Sequence, residues 1–278
     1  MLKKCLKNRT FLICSIILVP VFLAAILGDV IAPYDPYTID GNAVLQGSTW
    51  AHPLGTDEFG RDILSRLIVG IRPTIVIAVS ATILAFALGI LAGVTAGYFG
   101  GVSEQLLMRA TDMIQCIPPI MLAMTVVAFW GSDIYGLILV IGIVYAPGFA
   151  RISYSSTILI RKMEFVECDV SLGASSVWII RKGILPNIIS PMIIQASLTI
   201  ASAILLESGL SFLGLGVLPP TPSWGQMIGD AKGYMSVSPT YVFWPSFFLS
   251  VTILSINLLG DCMRDAMDPR LKNTFNGV

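Results

Sequence analysis

The residue types on which enzymes and metal sites depend are sparse in this sequence. His52 is its single histidine, so the chain cannot build a histidine metal cluster or a serine–histidine–aspartate triad from its own residues. The five cysteines form no CxxC pair, and no lysine is followed by serine or threonine, so a phosphate-binding P-loop is absent. The sequence therefore predicts no catalytic, metal or nucleotide chemistry in this chain, and His52 is expected to be a loop residue.

Glu207 is a charged residue in an unusual place, because it lies inside a long apolar run. An ionised carboxylate at membrane depth is costly unless it faces protein or water. Two roles follow. Glu207 can line a translocation pathway or hold a gate there, meeting a cationic cargo, or it can be a protonated or hydrogen-bonded packing residue near the outer end of its span.

The longest charge-bearing break between the apolar runs is the segment 164–187, here called the elbow. Phe165 and Leu172 fall on one stripe of a predicted helix, with acidic and hydroxyl side chains beside them. Such a helix is suited to binding in the groove of a soluble partner, although an ordinary solvated loop can carry the same pattern.

A second short helix is expected in the same segment. Gly173 loosens the chain after the first helix, and Ser175 can cap a helix over residues 177–185. Pro186 should end that helix because proline lacks the N–H that continuation requires. The elbow is therefore predicted to be a helix–glycine–helix unit.

The residue string of the elbow resembles the "EAA" coupling motif of ATP-binding-cassette importer permeases. The matching strings are Val166-Glu167, Gly173-Ala174-Ser175 and Ile184-Leu185-Pro186-Asn187. The family docks this elbow on a cytoplasmic ATPase, which implies that coupling depends on Phe165, Glu167, Cys168, Asp169, Leu172, Gly173 and Ala174. The sequence departs from the family at Cys168 and Asp169, where two small residues are usual, and at Gly183, where histidine is common.

Before the second apolar run, the sequence predicts a separate amphipathic helix lying along the outer membrane surface. Thr56 or Asp57 would cap it, and its apolar arc would hold Phe59, Ile63, Leu64, Leu67, Ile68 and Ile71. Asp57 with Arg61, and Asp62 with Arg66, are spaced as i,i+4 ion pairs.

Three strings resemble one branch of importer permeases more specifically. They are HPLGTDEFGRDILSRL from His52, LSFLGLG with PPTPSWG from Leu210 and Pro219, and NLLGD with RDAMDPR from Asn257 and Arg264. That branch imports dipeptides, oligopeptides and nickel, and the chain is similar to the "C" member of its two permeases. The resemblance covers most of residues 34–271.

Composition indicates a protein that crosses the membrane several times. The chain is 55% hydrophobic and 12% charged, and soluble domains carry roughly twice that charged fraction. Six apolar runs are predicted to span the bilayer, at 11–31, 74–96, 117–130, 134–150, 188–213 and 242–259. Pro118-Pro119 should kink or open the third span, which residues 105–115 can extend, and Pro147-Gly148 should interrupt the fourth. Gly89, Gly93 and Gly97 form a ladder of small residues expected to pack helices closely.

Charge placement predicts the orientation. With the N-terminus inside, 13 of the 17 lysines and arginines fall on the cytoplasmic side, together with the elbow. Net charge is zero, so no bulk field points to nucleic acid. The cysteines all map to the cytoplasm or to the inner half of a span, which argues against disulfides: Cys5, Cys14, Cys116, Cys168 and Cys262.

The expected fold is an all-α integral membrane protein with six spans, similar to type I importer permeases. Three regions are expected: residues 1–71 with the external helix, a permease core at 72–263, and a cytoplasmic tail at 264–278. The resemblance implies a second permease, two ATPase subunits that hold ATP and magnesium, and an extracytoplasmic binding protein in a bacterial inner membrane. Peptide is the expected cargo, with nickel or a metal chelate as the alternative. A channel or secondary transporter that works without ATP is the alternative class.

Overall fold

The computed structural model describes residues 8–267, and its regular elements within that range are helices. We number them α1 Arg9–Ile31, α2 Ile63–Phe99, α3 Gly101–Gln115, α4 Pro119–Trp130, α5 Ile134–Arg161, α6 Glu164–Ser171, α7 Ser176–Ile179, α8 Leu185–Phe212, α9 Trp224–Ala231 and α10 Pro239–Met267. A π-helical turn, Ile180–Ile184, joins α7 to α8. The predicted tail 264–278 lies outside the described residues except for its first four, which continue α10. Lys3, Lys4, Cys5 and Lys7 also lie outside them.

Five helical stretches in the described part are long and apolar enough to cross a membrane. They are α1, α2, α5, α10 and the stretch Ser176–Phe212; α3 and α4 together make a sixth if they are counted as one span bent by 90°. Pro118 and Pro119 mark this bend, as predicted, because neither residue can donate a helical hydrogen bond. The expected extension of the third span as one long helix is wrong. α5 continues through Pro147, which does not end it.

α2 and α5 form the most extensive helix pair, and the glycine ladder is where they meet. A Cβ added to Gly93 would lie 2.0 Å from the Ser153 Oγ and 2.3 Å from the Ala150 carbonyl oxygen. A Cβ at Gly89 would lie 2.3 Å from the Phe149 Cβ. Ser153 also donates a 3.0 Å hydrogen bond to the Gly89 carbonyl across this contact. The prediction that the ladder packs helices is confirmed.

Replacing Gly93 with alanine is expected to destabilise the chain by about 1–3 kcal/mol, because the contacted atoms include backbone that cannot move aside. Thermal unfolding of purified protein in detergent measures this. Gly148→Ala is the matched control, since that glycine also lies inside a long apolar helix, α5, and its added Cβ would meet only the flexible Gln195 Nε2, at 3.3 Å. Equal unfolding temperatures for the two variants would contradict the close α2–α5 approach.

The prediction of a separate external amphipathic helix before the second span is wrong. The helix begins at Ile63, with Asp62 as its N-cap, and runs without interruption into the second span. Residues before it form turns and an isolated bridge between Thr56 and Asp62. Gly60 explains the difference: its φ is +75°, outside helical conformation, and a Cβ there would lie 1.9 Å from the Asp40 carbonyl oxygen. Within the predicted apolar arc, Ile63, Leu67 and Ile71 are buried in the chain, Leu64 and Ile68 are half-buried, and Phe59 is exposed.

Candidate functional site

The first helix of the elbow, α6, ends in a tight, hydrogen-bonded turn at Gly173. The Ala174 N–H donates to the Asp169 carbonyl and the Gly173 N–H donates to the Val170 carbonyl, both at 3.0 Å. These two bonds form a Schellman motif, which requires a left-handed residue just after the helix. Gly173 supplies it with φ +79°. The local geometry of the turn therefore depends on a glycine at this position.

One side of the elbow is fixed to the rest of the chain. Val166 is 1% exposed and packs in a cluster with Ile179, Ile184 and Phe149. Ala174 is half-buried against the same cluster. A movement of α6 would therefore displace side chains of α5 and α8 that pack against it.

The other side of the elbow exposes apolar side chains to solvent. Leu172 is 80% exposed, and Phe165 is 43% exposed. Glu167 and Cys168 are exposed as well, and Asp169 is half-buried. The structure thus brings the seven predicted coupling residues together on ten consecutive positions, with Ala174 turned inward and the others accessible to a partner.

The second half of the elbow differs from the prediction. Ser175 caps α7 by accepting a hydrogen bond from the Trp178 N–H, as expected. Pro186 does not end the helix: α7, the π turn and α8 run together from Ser176 to Phe212. Pro186 lies in the first turn of α8, where a missing N–H costs little, and the Asn187 side-chain amide donates to the Gly183 carbonyl at 2.6 Å.

A cavity of about 850 Å³ lies between the elbow and the adjoining ends of α2 and α5. Glu167 lines it from α6, and Tyr98, Arg161 and Lys162 line it from the two long helices. The Arg161 guanidinium lies 5.7 Å from the centre of the Tyr98 ring. Sequence reasoning did not single out Tyr98, Arg161 or Lys162, because only the packing of α6 brings them beside Glu167.

Glu207 is fully buried within the single chain. The Ser211 hydroxyl donates a 2.7 Å hydrogen bond to one carboxylate oxygen, and the Ser208 hydroxyl lies 3.4 Å from the other. α9 packs closely here, since a Cβ at Gly225 would lie 2.3 Å from the Ser208 carbonyl oxygen. Glu207 therefore has hydrogen-bonding partners where α8 meets α9.

Replacing Glu207 with glutamine is expected to leave transport unchanged, because glutamine keeps the size and the acceptor oxygen that the Ser211 hydroxyl uses. The measurement is uptake of cationic, neutral and anionic cargo analogues by proteoliposomes containing the complete transporter. A loss confined to cationic cargo would instead assign Glu207 to the pathway.

A second group of polar side chains holds the loop 32–62 against the helices; we call it the polar cluster, and it comprises Asp57, Glu58, Arg61, Arg66, Asp230 and Tyr241. The Asp57 carboxylate is completely buried. It accepts hydrogen bonds from the N–H groups of Phe59 and Arg61 at 2.9 Å and from the Arg61 Nε at 2.6 Å. The predicted Asp57–Arg61 pair is confirmed, within a turn rather than a helix.

The predicted ion pair between Asp62 and Arg66 is wrong. Arg66 is 1% exposed, and its Nε lies 3.4 Å from the Asp57 carboxylate. Asp62 instead caps α2 through the Ser65 N–H at 2.8 Å and lies 3.0 Å from the Nδ1 of His52. His52 is a loop residue, as expected. Spacing alone could not assign these partners, since the pairing follows from the turn at Gly60.

Comparisons with known proteins agree with this architecture. Residues 85–273 match the family described as "Binding-protein-dependent transport system inner membrane component", and residues 1–47 match "N-terminal TM domain of oligopeptide transport permease C". The MetNI methionine ABC transporter, solved in inward-facing conformations, contains a chain with the same fold: the TM-score is 0.60 at 18% identity, covering 74% of this chain and 98% of that one.

Curated relatives are similar along nearly the whole sequence. The glutathione transport system permease protein GsiD of Pectobacterium atrosepticum is 36% identical over 242 residues, covering 87% of this chain and 80% of that protein. The di/tripeptide transport system permease protein DppC of Pseudomonas aeruginosa is 36% identical over 259 residues, covering 91% and 86%. With a family match over residues 85–273 and relatives of this similarity, the chain belongs to the inner membrane components of binding-protein-dependent transport systems.

Proposed function

We propose that this chain forms one half of the translocation pathway of an ATP-driven importer and that its cargo is a short peptide. The transport role rests on membership of the family of binding-protein-dependent transport system inner membrane components. The cargo rests on two relatives, a glutathione permease and a di/tripeptide permease, each 36% identical to this chain. Nickel or a metal chelate is the alternative cargo within the same architecture.

Coupling to ATP hydrolysis is assigned to the elbow. The observation that carries this proposal is its apolar face: Phe165 is exposed on α6 and Leu172 is exposed at the C-cap of α6, where a Schellman turn fixes the direction of the chain. An amphipathic helix of this kind binds by placing its apolar side chains in a partner's groove. Glu167, Cys168 and Asp169 would make the polar contacts around that groove.

The proposed cycle is alternating access driven by closure of two ATPase subunits. Closure would draw the elbows of the two permeases together, and the buried contacts of Val166 would pass the movement to α5 and α8. The partners are then a second permease, two ATPase chains that carry ATP and magnesium, and an extracytoplasmic binding protein.

The proposed orientation has both termini in the cytoplasm of a bacterium, with the elbow on the same side. This side is supported by the concentration of 13 of the 17 basic residues there. It leaves the loop 32–62 and α9 facing the binding protein. Residues 1–71 are proposed as an N-terminal unit, and 72–263 as the permease core.

Co-purification from native membranes tests the proposal. We expect two ATPase chains, a second permease and a peptide-type binding protein to accompany this chain. A metal-type binding protein would support the alternative cargo. Recovery of a homo-oligomer that transports without ATP would overturn the importer and favour a channel or secondary transporter.

A further inference from the structure

An exposed ion pair connects two helices of the bundle. Arg151 on α5 pairs with Asp112 on α3, with 2.7 Å between the Arg151 Nη2 and the Asp112 Oδ1. The side chain of Arg151 is 56% exposed and that of Asp112 is 57% exposed. The pair therefore joins α3 to α5 while leaving both charged groups open to contact with a further group.

This ion pair lies along a membrane-spanning helix rather than in a loop. α5 is one helix from Ile134 to Arg161, long and apolar enough to cross a membrane. At a rise of about 1.5 Å per residue, Arg151 lies about 26 Å along α5 from Ile134, and the hydrocarbon core is about 30 Å thick. In the proposed orientation Ile134 is at the outer end, which places Arg151 in the inner half of the membrane. A charged side chain at this depth faces protein or water, because contact with lipid is costly.

Further polar groups continue the same face of α5 toward the centre of the membrane. Gly148 lies one turn before Arg151, and a Cβ added to Gly148 would lie 3.3 Å from the Gln195 Nε2 of α8. One turn further, the Tyr145 hydroxyl donates a 2.9 Å hydrogen bond to the Ser202 carbonyl oxygen, and this contact is exposed. These groups form a polar row along α5 and α8 that begins at Arg151. Such a row on spanning helices is typical of a water-filled pathway.

Arg151 is open to a ligand in a way that Glu207 is not. Glu207 is fully buried and accepts a hydrogen bond from the Ser211 hydroxyl. The hydrogen bond from Arg151 to Asp112 uses one of the five N–H donors of the guanidinium. A second carboxylate can bind to the other donors, in the paired geometry that arginine favours.

We propose that Arg151 binds the terminal carboxylate of a peptide cargo as the cargo passes through the inner half of the pathway. Asp112 holds the guanidinium while the pathway is empty and releases it to the incoming carboxylate. A guanidinium binds a carboxylate more strongly than it binds neutral groups, because both partners of the hydrogen bonds are charged. This inference rests on the proposed peptide import and adds to it the residue that contacts the cargo.

Two substitutions that break the ion pair from opposite sides separate cargo binding from helix packing. The measurement is ATP-dependent uptake by proteoliposomes containing the complete transporter, supplied with peptide-loaded binding protein. We expect Arg151→Gln to lower the uptake rate by about tenfold, the effect of losing one hydrogen bond to a charged group. Asp112→Asn breaks the same pair but leaves the guanidinium free, so uptake should not fall. Arg151→Lys should recover part of the rate, because lysine keeps the charge but not the planar geometry.

Arg72→Gln is the matched control, since Arg72 forms a similarly exposed ion pair with Asp29 between α2 and α1. Its uptake rate should match that of wild type. Equal losses in Arg151→Gln and Asp112→Asn would overturn the proposal and assign the pair to packing of α3 against α5. Undiminished uptake in Arg151→Gln would also overturn it.

Thermal unfolding of the same preparations completes the test. Arg151→Gln and Asp112→Asn should unfold at similar temperatures, because each removes the same exposed pair. A lower unfolding temperature in Arg151→Gln alone would assign its transport loss to folding and overturn the cargo contact. A wild-type transporter that takes up no peptide would contradict the proposed cargo itself, and the role of Arg151 would fail with it.

Discussion

Valine at position 173 is expected to abolish the stimulation of ATP hydrolysis that cargo-loaded binding protein produces. Gly173 has φ +79°, a left-handed conformation that costs other residues about 1–2 kcal/mol and is worst for β-branched ones. Relieving this strain would break the hydrogen bond from the Ala174 N–H to the Asp169 carbonyl. The exposed face of α6 would then point away from the ATPase groove. ATPase activity of the reconstituted transporter, with and without binding protein, measures the effect.

Gly173→Asn separates backbone geometry from surface contact. Asparagine tolerates the left-handed region, and an added Cβ at this position meets no atom of residues 8–267 within 4 Å. Near-normal stimulation in Gly173→Asn, with loss in Gly173→Val, would assign the requirement to the turn. Loss in both would mean that the ATPase contacts this surface directly. Normal coupling in Gly173→Val would contradict the coupling role of the elbow.

Replacing Asp57 with alanine is expected to destabilise the chain by about 3–5 kcal/mol, because it leaves the Arg66 guanidinium buried beside an empty position. The same change removes the acceptor for the N–H groups of Phe59 and Arg61. Yield of folded protein in the membrane and thermal unfolding in detergent both report this loss.

An exposed ion pair provides the control for Asp57. Asp29 pairs with Arg72 at 2.6 Å, but their side chains are 58% and 44% exposed. Asp29→Ala should therefore cost at most about 1 kcal/mol. Similar losses for Asp29→Ala and Asp57→Ala would mean that burial does not set the strength of the Asp57 contacts.

The sequence was sufficient where one local pattern decides the structure. An apolar run long enough to cross a membrane forms a helix, because a helix satisfies its own backbone hydrogen bonds in the bilayer. The glycine ladder at Gly89, Gly93 and Gly97 leaves a groove on one helix that a second helix fills. The first helix of the elbow was also predictable, because Gly173 follows an amphipathic stretch and Ser175 precedes the next helix. The roles of the seven elbow residues in coupling remain predictions.

The sequence was insufficient to predict which residues interact when they lie far apart in the chain. It was also insufficient where one local pattern is compatible with two structures. The spacing of Asp57 and Arg61 suits a helix and a turn equally, and Gly60 between them was the available signal for a turn. Pro186 ends a helix when it lies in the interior, but the π turn before it places it at a helix start. Asp230 and Tyr241 join the polar cluster only because α9 and α10 fold back over the loop.

The continuous helical stretch from Ser176 to Phe212 would convert a small tilt at the elbow into a larger displacement at its other end. Its 37 residues amount to a rod about 55 Å long at the usual helical rise. A tilt of about 5° imposed at the elbow end would displace the opposite end, near Glu207, by about 5 Å if the rod stayed rigid. A small closure between ATPase subunits could then become a displacement as wide as a peptide backbone at the far side of the membrane, without any change in the secondary structure between.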